Sequence, residues 1–177
     1  MAHLIEQATS GRAKCRGCGG AIAVGEWRFG ERLPNPFAEG DALMTHWFHP
    51  ACAAYRRPEA VLEALQNAGA SVPDRDRLVQ AAQLGVAHRR VPRVSTAERA
   101  ASGRATCRSC REAIEKGAWR ISLVFYEDGR FTASGFIHVR CAKAYFETTE
   151  ILDRVRHFSP ALGDQDIQEI GRELSAG

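Results

Sequence analysis

The apolar positions of this chain fall into two similar successions. From Pro50 to Asn67 they recur at helical spacing, with Val61, Leu62 and Leu65 on one face. From Val139 to His157 the same period returns with Ile151, Leu152 and Val155. A second helix is predicted behind each. The first is "PDRDRLVQAAQLGV", with Pro73 suited to a first turn and Asp74 and Asp76 near the positive end of the helix dipole; the second, "GDQDIQEIGREL", opens on Asp164 and Asp166. Before the helices, "VFYEDGRFTASG" reads as a hairpin turning at Asp128-Gly129, and "LPNPFAEGDALM" as a loop carrying Phe37, Leu43 and Met44 among Pro, Gly and acidic residues. Alternation alone leaves open whether Val124, Phe125 and Tyr126 face a core or solvent.

The two successions belong to an internal repeat. "SGRAKCRGCGGAIAVGEWRFG", from Ser10, aligns without a gap with "SGRATCRSCREAIEKGAWRIS", from Ser102. The copies then diverge in length and meet again at "FHPACAAY" and "IHVRCAKAY". Two domains are therefore expected, residues 1–88 and 97–177, joined by a linker at 89–96 that holds Pro92 and little that could pack. Domains of about 85 residues are small enough that cross-links would help each one hold a fold.

Composition narrows the class. A chain of 177 residues, 45% hydrophobic, suits one or two soluble globular domains. The N-terminus lacks a basic stretch followed by an apolar run, and no eighteen apolar residues occur in succession, so neither a signal peptide nor a membrane span is expected. The expected location is intracellular: cytoplasm or nucleoid in a bacterium, nucleus in a eukaryote. A net charge of +3 does not by itself indicate a nucleic-acid binder. Arg89, Arg90, Arg93, Arg99, Arg104, Arg108 and Arg111 nevertheless form a basic run broken by Glu98 alone, which reads either as a solvated linker or as a phosphate-facing stripe.

All six cysteines fall into one repeated arrangement: Cys15-x-x-Cys18 with His49-x-x-Cys52, and Cys107-x-x-Cys110 with His138-x-x-Cys141. A C-x-x-C turn presents two sulfurs to one side of a tetrahedral ion and a distant H-x-x-C pair closes the other, so two Cys3His zinc sites are predicted, one ion each. Disulfides fit poorly with three cysteines per copy and a histidine in the same place twice. His46 also precedes Cys52, but its place in the second copy is taken by Gly135, so the shared spacing selects His49. His3, His88 and His157 have no cysteine partner. Four strong ligands leave no open position for a reacting water, which indicates structural rather than catalytic zinc. Six thiolates and two zinc ions change the formal charge from +3 to +1, so any anion binding must rest on local patches. Trp27 and Trp119, inside the repeated "GxWR", are expected beneath the zinc sites.

Thirty residues separate Cys18 from His49 and 27 separate Cys110 from His138, far more than the roughly twelve of a DNA-reading Cys2His2 finger. The ligand order, the long gap, the letters around the first cysteines and the trailing helices resemble the poly(ADP-ribose) polymerase-type (PARP-type) zinc finger, in two tandem copies. The second copy departs from the pattern in having Phe136-Ile137 where the first has Trp47-Phe48. The resemblance implies small α+β domains, each a short antiparallel sheet with C-terminal helices around a Cys3His zinc site. It also implies recognition of DNA strand breaks by shape. By resemblance, Arg12 and Arg28, and Arg104 and Arg120, would grip phosphates. Phe37, Leu43 and Met44, and Phe125, Tyr126 and Phe131, would cover exposed base faces, stacking being worth about 1–3 kcal/mol per base. The residues by themselves leave open a surface ion-pair role for Arg12 and Arg104 and a core role for half of the apolar set.

No stretch matches an ADP-ribosyltransferase fold or an adenylation lysine motif, so the expectation is a non-enzymatic binder of nicks or ends, with a repair protein as a further partner and no small-molecule substrate. The competing expectation is a zinc-stabilised protein-interaction module, favoured by the acidic loop residues Glu39, Asp41, Glu127 and Asp128.

Overall fold

A computed structural model describes residues 3–38, 40–69 and 71–177. Glu39, counted above among the acidic loop residues, lies outside the described residues. The chain divides into two units, Met1–Ala87 and His88–Gly177, each built as a three-stranded antiparallel sheet followed by helices.

In the first unit, β1 (Leu4–Gln7), β2 (Trp27–Pro34) and β3 (Leu43–Phe48) lie in the order β1-β2-β3. Between β1 and β2 the repeated segment folds back on itself, with a bridge from Lys14 to Ala21. Phe29 and Phe48 are fully buried, and their rings meet at 6.1 Å. The helical stretch expected over 50–67 is two helices, α1 (Pro50–Arg56) and α2 (Pro58–Asn67). The break falls at Arg57, because Pro58 supplies no N–H and forces the preceding residue out of the helical region (φ −131°, ψ 58°). Val61, Ala64 and Leu65 of α2 and Leu78 and Ala82 of α3 (Arg75–Ala87) are buried.

The second unit repeats the plan with β4 (Val94–Arg99), β5 (Trp119–Glu127) and β6 (Arg130–His138) in the order β4-β5-β6. β5 and β6 form the expected hairpin. Asp128 and Gly129 both have positive φ, 50° and 75°, the mirror-image turn whose twist matches that of the strands. The helical stretch expected over 139–157 is again interrupted: a 3-10 turn (Val139–Cys141) leads into α4 (Ala142–Phe146), which stops at the left-handed Glu147 before α5 (Leu152–Phe158). The last helix, α6 (Asp164–Ala176), begins where the Asp166 carboxylate accepts the Gly163 N–H at 3.1 Å.

The segment expected to be a linker, 89–96, is built into the second unit. It contains a 3-10 turn (Val91–Arg93) and the start of β4, and Val91 and Val94 are buried in a core with Ile121, Leu123, Ile151 and Val155. A single Pro92 does not prevent packing here, because it sits in the first turn of the 3-10 helix, where no N–H is required. No helix among the described residues is long and apolar enough to cross a membrane.

Candidate metal centres and the surfaces beside them

Two groups of four ligands converge, one in each unit: Cys15, Cys18, His49 and Cys52, and Cys107, Cys110, His138 and Cys141. Within each, the ligand atoms lie within 4.8 Å of one another. The C-x-x-C turn supplies the first pair. Its backbone is closed by the Cys15 N–H on Gly20 O, and in the second copy by the Cys107 N–H on Glu112 O, both at 2.8 Å. The histidine stands directly before the first turn of the following helix, so its own cysteine, three residues on, faces back toward the turn.

The imidazole orientation follows from the hydrogen bonds. His49 Nε2 lies 3.2 Å from Ala21 O and His138 Nε2 3.2 Å from Ala113 O. A carbonyl only accepts, so Nε2 carries the proton and the Nδ1 lone pair is left for a metal. That Nδ1 faces the sulfurs, at 3.4 Å from Cys18 Sγ and 4.0 Å from Cys52 Sγ in one site, and 3.5 Å from Cys110 Sγ and 3.8 Å from Cys141 Sγ in the other. A tetrahedron with Zn–S of about 2.3 Å and Zn–N of about 2.0 Å has N–S edges of about 3.5 Å. Both sites therefore suit zinc in donor type and in size.

Proton placement leads to the same ion. Its hydrogen bond with Cys52 holds the Cys15 thiol down at about 4 against burial, with help from the amides of His49, Cys18 and Gly17. That same bond pushes Cys52 up, and burial adds to it. At Cys107, burial acts upward but is outweighed by the amides of Cys110, His138 and Ser109, leaving it at about 6, while Cys141 is pushed up to about 12 by burial and then by the Cys107 charge. Each cluster thus stabilises one thiolate, at Cys15 or Cys107, and resists ionisation of the H-x-x-C cysteine, Cys52 or Cys141. A divalent cation at the centre removes that conflict. His46 is not in the cluster: it is buried on β3 opposite Glu31, 5% exposed.

The arginines assigned to phosphate divide into two kinds. Arg12 and Arg104 are exposed and make no hydrogen bond or ion pair with any described residue. Arg28 and Arg120 are already engaged. Arg28 is 8% exposed, donates to Glu6 Oε1 from Nε at 3.1 Å and Nη2 at 2.6 Å, and lies 3.6 Å over the Trp47 ring. Arg120 donates likewise to Glu98 Oε1 and lies 3.8 Å over Phe136. The partners are set by register, since Glu6 faces Arg28 and Glu98 faces Arg120 across their strand pairs. These two glutamates escaped the sequence reading, although continuing the repeat upstream from Ser10 and Ser102 reaches them at the same offset. Phe136 fills the place of Trp47, so the second copy's departure from the aromatic pair keeps an aromatic face under the arginine.

Of the apolar residues expected to cover bases, only Phe37 lies on a loop, 90% exposed; Leu43 (41% exposed) and Met44 open β3 rather than belonging to the loop before it, and Phe125 (40% exposed) lies on β5. Met44 is half-buried, and half-buried Tyr126 and Phe131 pack against each other at 4.6 Å. Trp119 is buried as expected, whereas Trp27 is only half-buried.

Residues 6–88 match the family described as the poly(ADP-ribose) polymerase and DNA-ligase Zn-finger region. The chain is similar to poly [ADP-ribose] polymerase of Drosophila melanogaster, 28% identical over 72% of this chain and 14% of that protein. It is also similar to poly [ADP-ribose] polymerase 1 of Gallus gallus, 30% identical over 68% of this chain and 13% of that protein. With poly [ADP-ribose] polymerase 1 of Oryza sativa subsp. japonica it shares 25% identity over 89% of this chain and 18% of that protein. The chain thus spans less than a fifth of the length of these relatives.

Proposed function

Because this chain belongs to the PARP-type zinc-finger family, we propose that it binds DNA strand breaks, with little regard for sequence and without catalysing a reaction. The observation that carries the proposal is that each unit exposes at least one large apolar side chain and also an arginine with no partner among the described residues. Phe37 projects almost wholly into solvent from the turn between β2 and β3, and Arg12, three residues before Cys15 in the same unit, is exposed with no partner among the described residues. An exposed ring gains nothing in water, but it does gain against the flat face of a terminal base pair, which only a break exposes. Arg12 and Arg104 serve as the phosphate contacts. Arg28 and Arg120, tied to glutamates and stacked on rings, hold their strands in place and offer phosphate only the remaining N–H groups.

Acidic residues beside the loops support a second reading, docking of a protein partner: Asp41, Glu127 and Asp128 are all exposed. The test is fluorescence anisotropy of the zinc-loaded chain with nicked, blunt-ended and closed hairpin duplexes of one sequence, across a salt series. Strand-break binding predicts a preference for the nicked or open forms that persists as salt rises. Replacing both Arg12→Glu and Arg104→Glu should abolish it while leaving zinc content and folding intact. Equal, weak binding to all three duplexes that vanishes with salt would favour the protein partner instead.

A further inference from the structure

Four of the seven arginines in the basic run meet at one place in the second unit. Arg90, Arg93, Arg108 and Arg111 line a cavity of about 480 Å³, with the hydroxyl-bearing Ser109 and Ser134 in its wall. The chain pairs Arg28, Arg57, Arg99, Arg120 and Arg140 with carboxylates, yet none of these four forms an ion pair with a described residue. Nor does any described acidic side chain line the cavity.

Two of the four are held in place. Tyr145, buried on α4, accepts from Arg90 Nη1 through its carbonyl at 3.2 Å and from Arg93 Nη1 through its phenolic oxygen at 3.3 Å. Arg108 belongs to the zinc turn and lies across Gly135, where a Cβ would stand only 2.8 Å from its Nε. The glycine that replaces His46 of the first copy therefore makes room for Arg108. Arg111 follows Cys110 directly, and its counterpart in the first copy is Gly19. The shared fold does not require this cluster, because the first copy reaches the same sheet and the same metal site without it.

We propose that this cavity binds a phosphate monoester, the terminal phosphate of a broken strand. The proposal rests on the strand-break reading above and adds the chemistry of the end. A phosphodiester carries one negative charge and a terminal phosphate close to two at neutral pH, with three acceptor oxygens, so only the terminal group offers enough charge and acceptors to engage several guanidinium forks. Location agrees with that assignment. Arg93 also lies 5.2 Å from the ring of Phe125, one of the exposed apolar residues of the same unit, so phosphate and terminal base would be met side by side.

The test uses the zinc-loaded full chain and one nicked duplex prepared with a 5′-phosphate, a 3′-phosphate or only hydroxyls at the nick. The wild-type protein should bind one phosphorylated form about tenfold more tightly than the hydroxyl form, the effect of one charge-assisted contact. In Arg111→Gly, which restores the residue of the first copy, and in Arg93→Gln, that ratio should fall to near one with two zinc ions per chain retained. Equal wild-type affinity for phosphate and hydroxyl nicks would overturn the pocket and leave the strand-break reading standing, as would a preference that both variants keep. Should no broken duplex be preferred at all, the strand-break reading falls, and AMP and adenosine decide the pocket alone. NMR shifts of the Arg93, Arg108 and Arg111 side-chain N–H groups with AMP but not adenosine would retain a monoester site fed by free nucleotides. No shift with either would remove it.

Discussion

Arg28 is held from two directions, by a carboxylate in its plane and by an indole beneath it. Lysine reproduces neither the two parallel N–H donors nor the flat stacking face. Arg28→Lys should therefore destabilise the first unit by about 1–2 kcal/mol, the worth of a largely desolvated cation–π contact, in urea unfolding without DNA. Arg12→Glu, at an exposed position with no partner among the described residues, should leave the same midpoint unchanged. His46 carries a pH dependence. Burial first, and the charge of Arg16 next, lower its pKa below the ordinary 6.5, despite the opposing pull of Glu31. A histidine kept neutral in the fold contributes stability that is fully present above its unfolded pKa and is lost as pH falls from about 6.5 toward the lowered folded value. With zinc saturating, the first unit should lose more stability between pH 7.5 and 5.5 than the second, which has Gly135 at that position. His46→Gln should remove the difference, as read from NMR-detected melting of each unit.

The zinc turn and the β-hairpin obey local chemistry, and each can be broken locally. Cys18 and Cys110 are exposed, so replacing either by serine takes little from a core. Cys18→Ser should nonetheless reduce bound zinc from two ions to one per chain and unfold the first unit alone, measured by metal content and amide NMR. An equal loss from both units would mean that the sites do not act separately. In the hairpin joining β5 and β6, Gly129 has φ 75°, which a side chain tolerates poorly. Gly129→Ala should lower the stability of the second unit by about 1 kcal/mol while leaving its zinc in place. The hairpin was legible because Asp-Gly between apolar runs is a short-range signal. The first unit's helix break was also written locally, at Pro58, but a continuing apolar period masked it. Of the strands, only the β5–β6 hairpin was read from the sequence: β2 and β3 flank, and run into, a stretch read as a loop, β1 is four residues long, and β4 begins inside a stretch that looks like a polar, proline-bearing linker.

Each unit combines a small sheet, a few short helices and one metal site, and the magnitudes show which contributes more. Structural zinc is worth about 10–16 kcal/mol in zinc-finger peptides, against a net stability of about 5–15 kcal/mol for a folded domain. Chelation should therefore unfold both units, with loss of the helical circular dichroism signal and its recovery when zinc is returned. A folded apo-protein would mean that the cores alone suffice. The proposed break recognition asks something different of the molecule, namely that apolar side chains and arginines stay exposed on a frame rigid enough to present them. Arg12 and Arg104 each lie three residues before the first cysteine of a ligand set, so zinc would tie down the backbone that carries them.

Sequence alone determined the two Cys3His ligand sets, the choice of His49 over His46, the tandem plan and the resemblance to PARP-type fingers. All of these depend on short spacings and on a repeat with a fixed offset, which the chain states directly. Only the tertiary structure decided what the other arginines do. Arg28 and Arg120 meet Glu6 and Glu98 because strand register brings together residues 22 apart, and Arg90 meets the Tyr145 carbonyl across 55 residues. The basic run of the second copy looked like a linker because its partners are distant in sequence. Folding places part of it over a buried tyrosine and around a cavity that no described carboxylate lines, where its charge has no ion-pair partner among the described residues.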